Sequence, residues 1–334
     1  MGYIELKAGQ VALRGKIKPF QPPTGWIAES LPFSANAITF GDGKFVIVGE
    51  NTSKFAYSTN GITWITTTDF NTEWRPFSAV TYGDGKFVAI AKSDYDDSLK
   101  QAVSATAYST DGINWTLGKL PFAGDWRAIT YGNGKFVAVC YGRQDGKGTP
   151  NGAYSTDGIT WSEMSAGSSG DDLEAVAYGN GKFVTFGYIA GNNGDRTGYY
   201  STDGINWNTM TLPYVPVSKQ YTDITFGNGK FVAVTTEQNY CVYSTDGINW
   251  TKINMPSSRS WHSVTYGNDK FVAVADARAD VCAYSTDGIT WTEMSMPKEG
   301  YWRDVAYGNG KFVATSPVGA GVYSTDAAYW YGNA

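Results

Sequence analysis

Seven positions along the chain combine a variable residue, often aromatic, with a hydrogen-bonding or charged neighbour. They lie six residues before seven glycine-rich turns and read Ala35 with Asn36, Phe77 with Ser78, Trp126 with Arg127, Leu173 with Glu174, Tyr221 with Thr222, Trp261 with His262, and Trp302 with Arg303. Trp74 and Arg75 form a similar pair just upstream of the second position. An aromatic ring can stack on the apolar face of a sugar, while donors beside it bind hydroxyls.

The ligand-binding candidates are therefore Trp74, Arg75, Trp126, Arg127, Glu174, Tyr221, Trp261, His262, Trp302 and Arg303. In a second interpretation, the rings fill the protein core and the polar residues only line a hydrated channel.

Catalytic chemistry is poorly supported. His262 is the only histidine, so a metal site with two histidines is excluded and a Ser-His-Asp triad would have to use that residue. Glu174, Asp223 and Asp304 could supply paired carboxylates for glycoside hydrolysis, but each also fits an ordinary strand end. We predict no catalytic residue and no cofactor, and keep hydrolysis as an alternative.

An acidic loop is the one candidate for a cation. Asp94, Asp96 and Asp97 lie close together in "SDYDDS", and hard cations such as calcium prefer clustered carboxylates. The spacing is not that of an EF-hand, and solvated acidic loops are commoner. We therefore predict no metal site.

The elements that position these residues come from a repeat. The Gly-Asn-Gly-type turns begin at Gly41, Gly83, Gly132, Gly179, Gly227, Gly267 and Gly308, which are 40 to 49 residues apart. This is the period of a four-stranded propeller blade with loop insertions. The sequence predicts an all-β fold, a seven-bladed β-propeller of four-stranded antiparallel blades, over residues 24–334.

Each repeat contains two turn phrases. In "YGNGKFVAV" the Asn-Gly pair predicts a type I′ turn between strands A and B, because both central residues need positive φ. In "YSTDGITW" the Asp-Gly pair predicts the same turn between strands C and D. Both turns then lie on one face of the ring, and the variable loops lie on the other face, where binding residues are expected.

The second phrase, Ser-x-Asp-Gly-x-x-Trp, resembles the Asp-box of bacterial-neuraminidase-type β-propellers between about Ser58 and Asp326. Such propellers occur in sialidases, lectin-like proteins and phage virion proteins. The resemblance implies a structural turn at Asn60, Asp111, Asp157, Asp203, Asp246 and Asp287, and core packing of Trp64, Trp115, Trp161, Trp207, Trp250 and Trp291. A sialidase would also need an arginine triad, with candidates Arg75, Arg127 and Arg303, but the Phe/Tyr-Arg-Ile-Pro motif is missing.

The chain ends suggest how the ring closes. Ala327 replaces the box glycine in the last copy, which predicts that this hairpin does not form, since positive φ disfavours a side chain. "GWIAESLPF" at Gly25 to Phe33 matches the strand-D sequence "NWTLGKLPF". An N-terminal strand should therefore complete the seventh blade; alternatively, that blade has its own strand D at Trp330.

Residues 1–23 match no repeat. They predict an attachment arm that docks onto virion or assembly proteins.

Composition limits the partners. The net charge of −5 without basic runs argues against nucleic acid, and no apolar stretch is long enough for membrane insertion. Residues 1–20 lack a signal-peptide layout, so synthesis in the cytoplasm is expected. We expect Cys140, Cys241 and Cys282 to be reduced, buried thiols.

Together these features favour a non-catalytic propeller that binds a cell-surface glycan or a protein receptor through its variable face. The resemblance to virion-associated propellers suggests a phage-like tail or fibre component in a virion or extracellular particle. Two alternatives are a sialidase-like glycoside hydrolase and an architectural propeller that joins two proteins.

Overall fold

The computed structural model describes residues 30–50, 52–69, 77–96, 101–143, 150–167, 171–189, 197–214, 221–236 and 238–327. These residues form a seven-bladed propeller of antiparallel sheets, as predicted. The described part contains no helix, and hence none long and apolar enough to cross a membrane.

The first four blades are regular meanders in which each strand pairs with the next. Blade 1 comprises β1 (Ala35–Gly41), β2 (Lys44–Gly49), β3 (Lys54–Ser58) and β4 (Ile65–Asp69). Blade 2 comprises β5 (Phe77–Gly83), β6 (Lys86–Asp96), β7 (Gln101–Ser109) and β8 (Thr116–Lys119). Blade 3 comprises β9 (Gly124–Gly132), β10 (Lys135–Arg143), β11 (Gly152–Ser155) and β12 (Ser162–Met164). Blade 4 comprises β13 (Asp171–Gly179), β14 (Lys182–Ile189), β15 (Thr197–Ser201) and β16 (Asn208–Thr211).

Blade 5 follows the same plan, whereas blades 6 and 7 vary it. Blade 5 comprises β17 (Tyr221–Gly227), β18 (Lys230–Thr235), β19 (Gln238–Ser244) and β20 (Thr251–Arg259). Blade 6 comprises β21 (Trp261–Gly267), β22 (Lys270–Ser285), which includes both strands B and C, and β23 (Thr292–Tyr301). Blade 7 comprises β24 (Asp304–Gly308), β25 (Lys311–Thr315) and β26 (Gly321–Ser324).

The N-terminal segment closes the ring. Ser30 forms an antiparallel bridge with Ala320, and the Leu31 amide donates to the Gly319 carbonyl at 2.9 Å. Both contacts lie beside β26, where the fourth strand of blade 7 belongs. The rest of the predicted closing strand, the arm of residues 1–23 and the alternative strand at Trp330 lie outside the described residues.

The A–B turns have the predicted type I′ geometry. In blade 4, Asn180 has φ 45° and Gly181 has φ 74°, as a turn with two left-handed residues requires. The side-chain amide of Asn180 also donates to the backbone carbonyl of Thr245, in the Ser-x-Asp-Gly turn of the next blade, at 3.1 Å. The A–B and C–D turns therefore share one face, as expected.

The C–D turns differ from the prediction. In the first six boxes only the glycine has positive φ, for example 74° at Gly204, so the box is not a type I′ turn. Instead, the Asp203 carboxylate accepts hydrogen bonds from the backbone amides of Ile205 and Asn206, each at 2.8 Å. The Ser201 hydroxyl accepts one from the Gly204 amide at 2.8 Å. The C–D turn is therefore longer than a two-residue hairpin loop, and hydrogen bonds from its backbone to the Ser201 and Asp203 side chains stabilise it.

The box carboxylates have lowered pKa values because of these bonds. Burial alone would raise the pKa of Asp203, but hydrogen bonds from Asn206, Ile205 and Ser201 hold it below its ordinary value. The same balance lowers the pKa of Asp246. The box aspartates therefore stabilise the fold in their charged form, which is the structural role implied by the resemblance.

Replacing a box carboxylate tests that role. Asp203→Ala should lower the free energy of unfolding by about 1–3 kcal/mol, since two backbone amides lose their acceptor. Asp203→Asn should cost clearly less, because the first box has Asn60 there and its amide oxygen accepts the same two bonds from Ile62 and Thr63 at 2.8 Å. Urea unfolding measures both variants, and equal losses would contradict the role of the oxygen.

The last box forms its turn despite the alanine. Ala327 has φ 61°, and its amide donates to the Ser324 hydroxyl at 2.9 Å, as glycine does in the other copies. The alanine therefore does adopt the positive φ that the prediction held to be disfavoured, while the strand that would complete the hairpin lies outside the described residues. The fixed bonds of the box hold the alanine in a conformation that costs about 1–2 kcal/mol in isolation.

Packing between blades uses an aromatic residue against a glycine. A methyl group built on Gly179 would lie 2.0 Å from the ring of Phe226 in the next blade. The same contact occurs at all seven turn glycines, and Gly308 against Phe40 completes the circle. This explains why the repeated phrase keeps an aromatic-glycine pair.

The remaining core predictions are confirmed. Cys140, Cys241 and Cys282 are buried thiols. Trp115 and Trp291 are buried, and the other four box tryptophans pack against the clusters between blades.

Candidate ligand-binding channel

A β-bulge in the innermost strand shapes the centre of the ring. In blades 1 to 6 the register of the A strand shifts by one residue against strand B, as between Ala35 and Ala37. The extra residue is the polar one of each sequence pair, and a bulge re-aims side chains and interrupts alternation. Two consecutive residues of a blade can then line the channel.

These residues form two rings, which we call the upper ring and the lower ring. The upper ring contains Asn36, Ser78, Arg127, Glu174, Thr222, His262 and Arg303. The lower ring contains the residues that follow them, Ala37, Ala79, Ala128, Ala175, Asp223, Ser263 and Asp304. All except Ala175 line one cavity of about 390 Å³, at the small end of ligand pockets.

The aromatic members of the predicted site lie elsewhere. Trp126, Trp261 and Trp302 are 0% exposed and Tyr221 is 1% exposed, each within a core cluster between blades. Their buried rings offer no face to the channel, in agreement with the second interpretation of the sequence. Their polar neighbours are at the cavity wall. Trp74, Arg75, Asp97 and the side chains of Asp94 and Asp96 lie outside the described residues.

Charged side chains of blades 2 to 4 meet at one side of the channel. Arg127 Nη2 lies 2.6 Å from Asp125 Oδ2, and Arg127 Nε lies 3.9 Å from Glu174 Oε2. Lys92 Nζ lies 3.5 Å from the other oxygen of Asp125. Burial raises the pKa of Glu174 to about 7 although the charge of Arg127 opposes this shift. A fraction of Glu174 is therefore protonated at neutral pH.

His262 and Arg303 form a second cluster on blades 6 and 7. His262 Nδ1 lies 2.8 Å from the Arg303 carbonyl oxygen, which can only accept, so Nδ1 carries the proton. His262 Nε2 then accepts from Arg303 Nη1 at 3.3 Å. Burial, followed by the charge of Arg303, lowers the pKa of His262, which keeps the ring neutral. Arg303 Nε also faces Asp276 Oδ2 at 3.3 Å.

The lower ring holds two carboxyl groups joined by one hydroxyl. Ser263 Oγ lies 2.9 Å from Asp223 Oδ2 and 2.8 Å from Asp304 Oδ1. The carboxyls also accept backbone amides of the following blade, from Val264 to Asp223 and from Ile38 to Asp304, each at 2.8 Å. The second of these bonds crosses from the last blade to the first. The group therefore ties four blades together.

A hydroxyl has one proton and cannot donate to both carboxyls at once. If both contacts are hydrogen bonds, one carboxyl must donate to Ser263 and so must be protonated. Burial, then the charge of Asp304, raises the pKa of Asp223 to about 7. Burial also raises the pKa of Asp304 to about 6. The pair thus holds one extra proton at mildly acidic pH.

Sequence reasoning finds the upper ring but not the joint role of the lower one. The sequence marks Asp223 and Asp304, together with Glu174, only as candidates for a carboxylate pair in hydrolysis, and it does not single out Ser263. The sequence feature that could have revealed it is the residue after each upper-ring residue, which is alanine in four blades and Asp, Ser and Asp in the other three.

Within the described ranges, no group of three or more histidine, cysteine or acidic residues is arranged to hold a metal ion.

The chain is thus a seven-bladed β-propeller with a polar cavity at its axis. A family model described as the DUF6242 beta propeller domain matches residues 162–302, so this part of the chain is similar to that family. No curated protein matches the chain.

Among solved structures, virginiamycin B lyase from Staphylococcus aureus is similar with a TM-score of 0.73 and 14% identity, covering 89% of this chain and 97% of that chain. A catalytically inactive form of the same lyase, solved with quinupristin, has a TM-score of 0.72 and 14% identity, covering 89% and 97%. YCF48 bound to D1 peptide has a TM-score of 0.64 and 13% identity, covering 91% and 98%. At such identities these likenesses show the fold alone.

Proposed function

We propose that this protein is a non-catalytic binding propeller that takes a glycan or a protein segment at the mouth of its channel. The observation that carries the proposal is the upper ring. Seven blades repeat their turns and core packing, yet the ring differs from blade to blade and presents Arg127, Glu174, His262 and Arg303 to a cavity of about 390 Å³. A purely structural ring would not need such different side chains.

The similar solved structures support the proposal as analogies. One was obtained with quinupristin and another with a D1 peptide, so propellers of this shape hold small molecules as well as peptides.

In keeping with the resemblance of the boxes, we further propose that the ligand is on a cell surface and that the protein is part of a virion or extracellular particle. The arm of residues 1–23 would attach the propeller there, and deleting residues 1–20 should abolish incorporation while leaving the thermal midpoint nearly unchanged.

Removing one guanidinium from the upper ring tests the binding function. Arg303→Ala should weaken binding to bacterial cells or to the best glycan of an array by about 10- to 100-fold, the value of one or two charge-assisted hydrogen bonds. Lys119→Ala is the matched control, because Lys119 is an exposed cation on outer strand β8. Both proteins must keep the wild-type thermal midpoint within a few degrees. Equal binding by both variants would contradict a ligand at the channel mouth.

A sialidase-like or other glycoside hydrolase is the second candidate. It is favoured by Glu174, whose pKa of about 7 would keep it partly protonated, as a general acid requires. Release of reducing sugar that is lost in Glu174→Gln would establish hydrolysis. Unchanged glycans after long incubation, with binding retained, would leave the non-catalytic function.

A further inference from the structure

The lower ring is chemically divided into two halves. Blades 1 to 4 contribute alanines, of which Ala37, Ala79 and Ala128 line the cavity, whereas blades 5 to 7 contribute Asp223, Ser263 and Asp304. One wall is therefore small and apolar, and the opposite wall presents oxygen atoms. A ligand that fits both walls has an apolar face and a hydrogen-bonding edge.

The oxygen wall retains capacity to accept hydrogen bonds. Asp223 accepts from the amides of Ile224 and Val264 and lies within hydrogen-bond distance of Ser263. Asp304 does the same with Val305, Ile38 and Ser263. An ionised carboxylate has about four acceptor positions, so the carboxyl that stays ionised retains about one beyond these three contacts. The wall can therefore accept from a ligand without losing a bond that holds the blades.

The upper ring limits the charge of that ligand. Arg127 and Arg303 lie on blades 3 and 7 at the cavity wall, and each faces a carboxylate: Arg127 faces Asp125 and Glu174, and Arg303 faces Asp276. These pairs offset the guanidinium charges, and burial raises the pKa of both carboxyls below, so neither ring specifically favours a cationic or an anionic ligand. A neutral hydroxyl both donates and accepts, so it can bind the carboxyls of the lower ring and the guanidiniums of the upper ring.

We propose that the group entering the channel is a neutral pyranose, with its C–H face on Ala37, Ala79 and Ala128 and its hydroxyl edge on Asp223, Ser263 and Asp304. This inference rests on the proposed function and specifies its ligand. It makes the lower ring, rather than the buried aromatic residues, the part of the site that selects the sugar.

Three sugars with the same pyranose ring but different charges distinguish a neutral ligand from a cationic and an anionic one. Glucose, glucosamine and glucuronic acid, with the galacto series in parallel, would be titrated into the full-length protein at pH 7 and followed by calorimetry or competition with cell binding. The neutral sugar of at least one series should bind at least 10-fold more tightly than its amine and its acid. Tighter binding of the amine would assign the lower ring to a cation, and tighter binding of the acid would assign the upper ring to an anion; either result overturns the proposal.

Variants of the two walls give an independent readout. Ala79→Val fills the apolar wall and Asp304→Asn replaces an acceptor with a donor, so each should weaken neutral-sugar binding at least 10-fold relative to Lys119→Ala. Calorimetry of unfolding would confirm that each variant is folded, and Ala37→Val is a second variant for the same wall. If Arg303→Ala reduces cell binding while no neutral sugar binds or competes, the binding function stands and the pyranose assignment is wrong. If cells are not bound and neither ring affects any ligand, the proposed function itself fails.

Discussion

Gly179→Ala should destabilise the propeller by about 3 kcal/mol or more, at or beyond the upper end of ordinary overpacking. The added methyl would lie 2.0 Å from the Phe226 ring of the next blade. Neither side can move easily, because the glycine is in the innermost strand and Phe226 packs on Phe231 with ring centroids 4.8 Å apart. Denaturant unfolding would show a lower midpoint with little change in slope.

Gly181→Ala, two residues away, is the control for this prediction. Gly181 has φ +74° but no atom within 4 Å of the added methyl, so only the backbone cost of about 1–2 kcal/mol is expected. Gly179→Ala combined with Phe226→Ala should cost less than the sum of the two single losses, since the double variant removes the clash. A Gly179→Ala variant as stable as Gly181→Ala would contradict the packing explanation of the repeated phrase.

Stability should fall as pH rises from 5 to 8, by an amount on the order of a few kcal/mol. Burial raises the pKa of Asp223 to about 7 and that of Asp304 to about 6, whereas an unfolded aspartate titrates near its ordinary value. The folded protein therefore binds more protons than the unfolded chain in this window. The contribution is complete below the unfolded pKa and is lost as pH rises through the two folded values.

The box aspartates act in the opposite direction at lower pH. Hydrogen bonds hold the pKa of Asp203 below its ordinary value, so its contribution is lost as the solution becomes strongly acidic. The two effects together predict a stability maximum near pH 4, around the ordinary pKa of an unfolded aspartate. Thermal midpoints measured from pH 3 to pH 9 would locate it.

Asp304→Asn identifies the source of the alkaline slope. It should reduce the loss of stability between pH 5 and pH 8 without abolishing it, because Asp223 and Glu174 also have raised pKa values. The reduction is expected even if the amide lowers stability at both values by facing the Ile38 amide. Asp42→Asn removes an exposed carboxylate from the opposite face and should leave the slope unchanged. A slope that is identical in wild type and Asp304→Asn would show that the carboxyl pair is not protonated on folding.

The architecture could be predicted because its causes are local. Each Asn-Gly turn needs two residues of positive φ in succession, and only a few residue types allow this, so the pairs such as Asn180 with Gly181 reveal the hairpins. Seven copies at a blade-sized spacing then leave little choice of fold. The box turn is harder to predict, since its shape depends on a side chain, that of Asp203, accepting bonds from amides further along the chain.

The site could be predicted only in part because the bulge breaks the alternation of the strand. A regular strand would place Trp261 and Ser263 on one face and His262 on the other. The structure instead buries Trp261 and brings both His262 and Ser263 to the cavity. The bridge through Ser263 joins residues about 40 positions apart on three blades, so it depends on the ring geometry rather than on any local pattern.

We expect the ligand to bind over the channel and not on the face that carries the repeated turns. A crystal structure of the protein with its tightest-binding glycan or peptide tests this most directly. We expect ligand density at the mouth of the cavity, within hydrogen-bond distance of Arg303 or Arg127 and, for a sugar, of Asp223 or Asp304. Density on the face of the box turns or along the outer strands, with the channel containing only solvent, would contradict the claim.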